Sequence, residues 1–167
     1  MPNKIRFSET QKFRQWWLWF ILAGTKGIMG FFIVTQTMYG EPFGDSEWEN
    51  VGLLIGFFLM LVISMLFFFL RLETKISEEG ILVRFYPIQL KFRQYKWEDI
   101  DQIYLREYSP ITEYGGWGIR YSFTGNGKAL NVSGRNGLQL VFKDGRKLLI
   151  GTNKSEDLMQ VLSVLGK

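Results

Sequence analysis

The chain has 167 residues, a formal net charge of +4 and a mean hydropathy near zero, which conceals a very apolar first half and a polar second half. It contains neither cysteine nor histidine. That excludes a disulfide framework, a thiolate nucleophile, zinc sites of the usual kind and the commonest general base, while the interleaved charges of the second half speak against a nucleic-acid partner.

Taken in order, Met1 to Arg14 carries Lys4, Arg6, Lys12 and Arg14 against the single acid Glu9. Ser8 and Gln11 stand at capping-box spacing, which predicts a helix that starts at about Ser8 and runs through QKFRQWWLWF into a membrane. Residues 1–15 then read as a cytoplasmic segment. No small-x-small cleavage site precedes the next polar stretch, so the apolar run that follows reads as an uncleaved anchor rather than a secretory signal.

The first span is expected over about 16–39, with Trp16, Trp17 and Trp19 at one end and Tyr39 at the other, as suits interfacial rings. Thr25, Lys26 and Gln36 interrupt it. The second, at about 51–71, centres on VGLLIGFFLMLVISMLFFFL, whose roughly 20 residues match a hydrocarbon core about 30 Å thick. Between them the loop 40–50 holds Glu41, Asp45, Glu47 and Glu49 and no basic residue. The positive-inside rule puts both termini in the cytoplasm and this acidic loop outside, in the inner membrane of a bacterial cell.

From Leu72 the pattern turns to alternation. LETKIS is the first expected strand, and Glu78 to Gly80 form a turn. Ile81 to Tyr86 follows, then Gln89 to Tyr95 after Pro87. WEDID reads as a turn, followed by a strand that ends before Pro110. Beyond the Gly-rich YGGWG come IRYSF, a strand near Ala129 to Val132, LQLVF and KLLIG, separated by TGNG, SGRNG and KDGR. Asn153 and Glu156 have capping-box spacing, and Leu158, Val161, Leu162 and Leu165 recur at helical steps, so the chain closes on an amphipathic helix. Residues 72–167 are thus expected as seven or eight short antiparallel strands in a small barrel or bent sandwich capped by that helix, cytoplasmic and joined to a two-helix transmembrane hairpin.

The motifs WEDI (Trp97 to Ile100), REYSP (Arg106 to Pro110), EYGGWGIR (Glu113 to Arg120), NVSG (Asn131 to Gly134) and DGRKLLIGT (Asp144 to Thr152) carry a resemblance. Leu72 to Leu162 resembles the bacterial PH-like domains of small membrane proteins, in particular a group with two N-terminal spans. The resemblance implies a pleckstrin-homology-like barrel and a binding role. Eukaryotic PH domains bind phosphoinositide headgroups through basic residues around the first strand-to-strand loop. The loop taken as comparable here is Ser77, Glu78, Glu79, Gly80, whose acids would repel a phosphorylated headgroup.

Several residues stand out. Trp117 and Arg120 could mark a partner-binding rim, since an aromatic and an arginine are typical interface anchors, with core packing the other reading of Trp117. Arg84, Lys91, Arg93 and Lys96 form a basic set that could meet anionic lipid or be a solvated strand face. Lys26 could snorkel to the headgroups, pair with another subunit or a lipid phosphate, or serve transport. Gly52 and Gly56 form GxxxG, with Ala23 and Gly27 at the same spacing, suited to packing the spans together or to homodimerisation. YGGWG and SGRNG match no phosphate loop, and Glu98, Asp99 and Asp101 read as a solvated turn.

No constellation for catalysis, cofactor or metal stands out, and the chain does not read as an enzyme. The leading expectation is a membrane-anchored scaffolding module that holds a protein partner at the cytoplasmic face. The alternatives are an anionic-lipid sensor, an accessory subunit of a transporter or enzyme complex, and a homo-oligomer.

Overall fold

The fold is that of a computed structural model, which describes residues 4–40, 47–123 and 125–167. The chain divides into two compact units: residues 14–69, and residues 1–13 with 70–167.

The first unit is a pair of helices, α1 (Trp16–Tyr39, 24 residues) and α2 (Glu47–Phe69, 23 residues). At 1.5 Å per residue they run for about 36 and 34 Å. Both are long and apolar enough to cross a membrane, and only 6% and 11% of their most apolar windows is buried within the protein. A soluble core helix would be covered. α1 stops at Gly40, whose left-handed φ of 69° lets its N–H reach back to Gln36 O at 3.0 Å.

The helices touch along Met29, Gly30, Gly56 and Phe57, where a Cβ at Gly56 would lie 2.7 Å from Met29 Cε. Gly52 and Gly27 face open space instead, so of the GxxxG pair only Gly56 serves this contact. Hydroxyls within the helices are satisfied by their own backbone: Thr25 Oγ1 donates to Ile21 O at 2.9 Å and Ser64 Oγ to Met60 O at 2.7 Å. The acidic loop expected over 40–50 falls outside the described residues at 41–46.

The second unit is mainly β, with nine strands among the described residues. Its first sheet is β1 (Ile5–Lys12), β2 (Arg71–Ser77), β3 (Gly80–Tyr86) and β4 (Arg93–Lys96), in that spatial order and wholly antiparallel. The second contains β5 (Ile100–Glu107), β6 (Gly118–Tyr121), β7 (Lys128–Asn131), β8 (Asn136–Phe142) and β9 (Lys147–Thr152), ordered β5-β8-β9-β7-β6. A short helix α3 (Pro110–Tyr114) follows β5, and α4 (Ser155–Val164) closes the chain, packed against β1 through a face that includes the buried Leu158 and Leu162.

Three expectations need correction. The helix predicted from Ser8 is a strand: Phe7, Glu9, Gln11 and Phe13 point inward while Arg6, Ser8, Thr10 and Lys12 face out, a period of two. Glu9 supplies the reason. Its carboxylate accepts from Thr152 Oγ1 at 2.6 Å and Asn153 N at 2.9 Å, and Gln11 Nε2 donates to Gly151 O at 2.7 Å, so polar partners across the unit outweigh local helix signals. The described strands form two sheets and no closed barrel, and β7 runs parallel to β9 where the sequence predicts only antiparallel strands. The strand expected from Gln89 begins only at Arg93, because Gln89 folds back on Phe85 through both its N–H (2.8 Å) and its Oε1 (3.2 Å).

The core follows from the register. Leu105, Leu138, Ile150, Leu130 and Ile119 form one transverse row across the second sheet, and Leu72 sits opposite Phe85 in the first. Leu138, Ile150, Leu130, Leu72 and Phe85 are at most 1% exposed. Each such side chain contributes about 1.5–3 kcal/mol on burial.

Candidate functional site: a cationic aromatic cleft

Strand β4 carries Arg93 and Tyr95 to one wall of a cleft of about 400 Å³, and β6, β7 and the β8–β9 turn bring Tyr121, Lys128, Phe142, Arg146 and Lys147 to the others. Its described lining holds four basic residues and no acid. Aromatic rings form the floor. Tyr95 packs against Phe142 with ring centroids 5.5 Å apart, Arg146 lies 5.4 Å over the Phe142 ring, and Lys128 Nζ lies 5.6 Å over Tyr121. Tyr121 is 68% exposed, an amphipathic ring available to a ligand.

Local structure fixes this arrangement. Gly127, at φ +78°, passes so close to Lys147 that a Cβ there would run into the Lys147 carbonyl, so glycine permits the loop to meet β9. Ser122 N donates to Gly127 O at 2.8 Å. Behind that loop Arg106 acts as a hub: it pairs with Glu113 Oε2 at 2.9 Å and donates to Gln139 Oε1 and Tyr114 OH, each at 3.0 Å. Asn126 Nδ2 then reaches Glu113 Oε2 at 3.0 Å, which ties the cleft's rim to α3. Burial opposes ionisation of Glu113, but the Ser109 backbone N–H, Arg106 and Asn126 together hold its carboxyl below the ordinary range.

The electrostatics favour anions. Burial pushes the Tyr95 phenol up, against the opposing pull of Arg93 and Arg146, so it remains a neutral donor at pH 7. Asp144 is drawn down by the Arg146 backbone N–H and guanidinium, and its carboxylate meets Arg146 Nε at 2.6 Å. One arginine is thereby partly neutralised. Arg93, Lys128 and Lys147 have no acidic partner among the described residues, and guanidinium and ammonium groups beside phenolic hydroxyls are what a carboxylate or phosphate requires.

The residues singled out from sequence are dispersed. Of the basic set only Arg93 lines the cleft. Arg84 is held by Glu73 and stacked 4.4 Å over Phe92, Lys91 is exposed on the β3–β4 loop, and Lys96 pairs with Glu98 at 3.0 Å. Trp117 is half-buried and Arg120 is exposed, and Arg120 Nε donates to Trp117 O at 3.0 Å. They are one residue and more away from Tyr121, outside the cleft lining. Lys26 is half-buried in α1. Sequence reasoning missed Tyr95, Tyr121, Lys128, Phe142, Arg146 and Lys147; their only common signal is a basic or aromatic residue at a strand end. Compared with protein-family models, curated proteins and solved structures, the chain finds no match in any of the three.

Proposed function

We propose that the protein is a membrane-anchored binding module in which α1 and α2 cross the inner membrane and the mainly-β unit, PH-like in outline, holds the acidic segment of a protein partner at the cytoplasmic face. The cationic aromatic cleft is the observation that carries this reading, because Arg and Tyr are the residue types that anchor protein interfaces and the net charge selects an acidic ligand.

The membrane part rests on exposure as well as length. Phe20, Phe31, Phe58 and Phe68 are each 64–72% exposed, an apolar surface that water would penalise and lipid would not. Lys4, Arg6, Lys12, Arg14 and Arg71 flank the helices in sequence, which supports cytoplasmic termini. The pairing of β1, before α1, with β2, after α2, supports a chain that returns to the side it left, as a two-span hairpin does. Anchoring raises the local concentration of the module around a membrane partner, so a modest cleft affinity suffices.

A photoreactive phenylalanine analogue placed at Tyr121 in the full-length protein, irradiated in native membranes, tests the assignment. The expected product is a specific adduct with one protein, mapped by mass spectrometry to an acidic segment. Adducts only with lipid, or none above the level given by the same probe at Met159 on α4, would overturn it.

A further inference from the structure

The β3–β4 loop presents a second feature, unrelated to the cleft. Lys12, the last residue of β1, stands opposite Arg71, the first of β2, and Arg71 stands opposite Tyr86, the last of β3. The points where the chain leaves this unit and returns to it, Phe13 and Leu70, therefore adjoin the sheet end from which the loop Pro87 to Phe92 springs. The connectors are short. Three residues, Phe13 to Gln15, separate β1 from α1 and span at most about 10 Å, and Leu70 alone separates α2 from β2. On the reading of α1 and α2 as spans, connectors this short leave the sheet end little freedom to move away from the bilayer surface.

The loop is built for such a surface. Ile88 and Leu90 are 61% and 70% exposed, although the backbone around them is pinned by the Gln89–Phe85 pair of hydrogen bonds and by Arg84 Nη1 donating to Leu90 O at 3.2 Å. Two large aliphatic side chains are thus held outward by an ordered framework. Their surroundings within the β unit are cationic and aromatic: Arg71 lies 4.7 Å over Tyr86, Lys75 Nζ 4.8 Å over Phe92, and Lys91 and Lys12 are exposed. Glu73, an acid of this sheet end, is committed to Arg71 at 2.7 Å and to Arg84 Nε at 3.0 Å. Apolar tips within a basic collar are the chemistry of an interfacial lipid anchor.

We propose that the β3–β4 loop seats Ile88 and Leu90 in the headgroup–acyl boundary of the bilayer that α1 and α2 cross, with Lys91 and Lys12 on acidic lipid headgroups. This third attachment fixes the tilt of the β unit against the membrane and so the direction in which its binding surface is offered. The inference rests on the reading of α1 and α2 as membrane spans.

Since the chain has no cysteine, single labels are unambiguous. Ile88→Cys, Leu90→Cys and Phe58→Cys variants of the full-length protein would carry an environment-sensitive fluorophore in phosphatidylcholine–phosphatidylglycerol nanodiscs. The labels at 88 and 90 are expected to emit blue-shifted and to be quenched by iodide severalfold more slowly than free fluorophore, while lipid-borne quenchers at shallow depth act on them. Iodide quenching at both positions as fast as that of free fluorophore, with position 58 reporting hydrocarbon, would overturn the loop proposal alone. An aqueous label at position 58 would overturn the spanning reading, and with it this inference.

Discussion

Glu9→Ala is the substitution that most sharply separates a strand from a helix at the N-terminus. Glu9 is 6% exposed and accepts two hydrogen bonds, from the Thr152 hydroxyl and the Asn153 backbone, on the far side of the sequence. Hydrogen bonds to a charged group contribute about 1.5–3 kcal/mol each, and removing the acceptor leaves the buried Thr152 hydroxyl and the part-buried Asn153 N–H without it, so a loss of about 3 kcal/mol is expected once non-additivity is allowed for. For a unit of this size that corresponds to a melting temperature about 10 °C lower. Calorimetry of the full-length protein in detergent provides the readout. Thr10→Ala, one residue along on the exposed side, should leave the transition where it was. If Glu9→Ala melts with the wild type, or above it as a gain in helix propensity would give, the account of β1 as part of the β unit is wrong.

Three further outcomes follow from the same packing. Burial pushes the Tyr108 phenol up to about 12, so the folded state holds its proton after the unfolded state has lost it near pH 10. Stability is then complete below about pH 10 and falls by about 2–3 kcal/mol as the pH rises towards 12; in denaturant titrations Tyr108→Phe should flatten that alkaline slope, and an unchanged slope would refute it. Gly56→Leu should disrupt the α1–α2 contact at Met29, read as a changed crosslinking pattern between cysteines introduced on the two helices, whereas Gly52→Leu, which faces open space, should not. Gly127→Ala imposes a left-handed backbone costing about 1–2 kcal/mol together with a clash at the Lys147 carbonyl, and should lower the melting temperature while Gly125→Ala, with nothing near its Cβ position, imposes only the backbone cost.

Where local pattern and tertiary partner agree, the sequence was sufficient. The alternation of Ile81, Val83 and Phe85, the near-continuous apolar runs of β8 and β9 that are buried on both faces, and the two long apolar helical stretches each announce their own surroundings. β1 did not, because its inward positions include Glu9 and Gln11, whose partners lie about 140 residues away. With β1 in place, the turn Ser77 to Gly80 joins the second and third strands rather than the first two, and the first strand-to-strand connection is the helical pair itself. The cleft was illegible for a similar reason. Tyr95 and Phe142 meet across two sheets, and Lys128 comes beside Lys147 only through the parallel pairing of β7 with β9, which no local periodicity encodes. The basic residues that alternation did place together, Arg84, Lys91, Arg93 and Lys96, are instead divided among an ion pair, a loop, the cleft and an acidic turn.

The central claim is that the cleft's positive charge holds an acidic partner at the membrane. Arg93→Glu combined with Lys128→Glu reverses two of its basic charges, at an exposed and a half-exposed position. The full-length variant and the wild type would be crosslinked mildly in native membranes, captured and compared by quantitative mass spectrometry. The account predicts a protein that accompanies the wild type in stoichiometric amount and is lost from the variant, with membrane insertion and melting temperature retained. An equal yield of that protein with both forms, or no protein accompanying either, would contradict it.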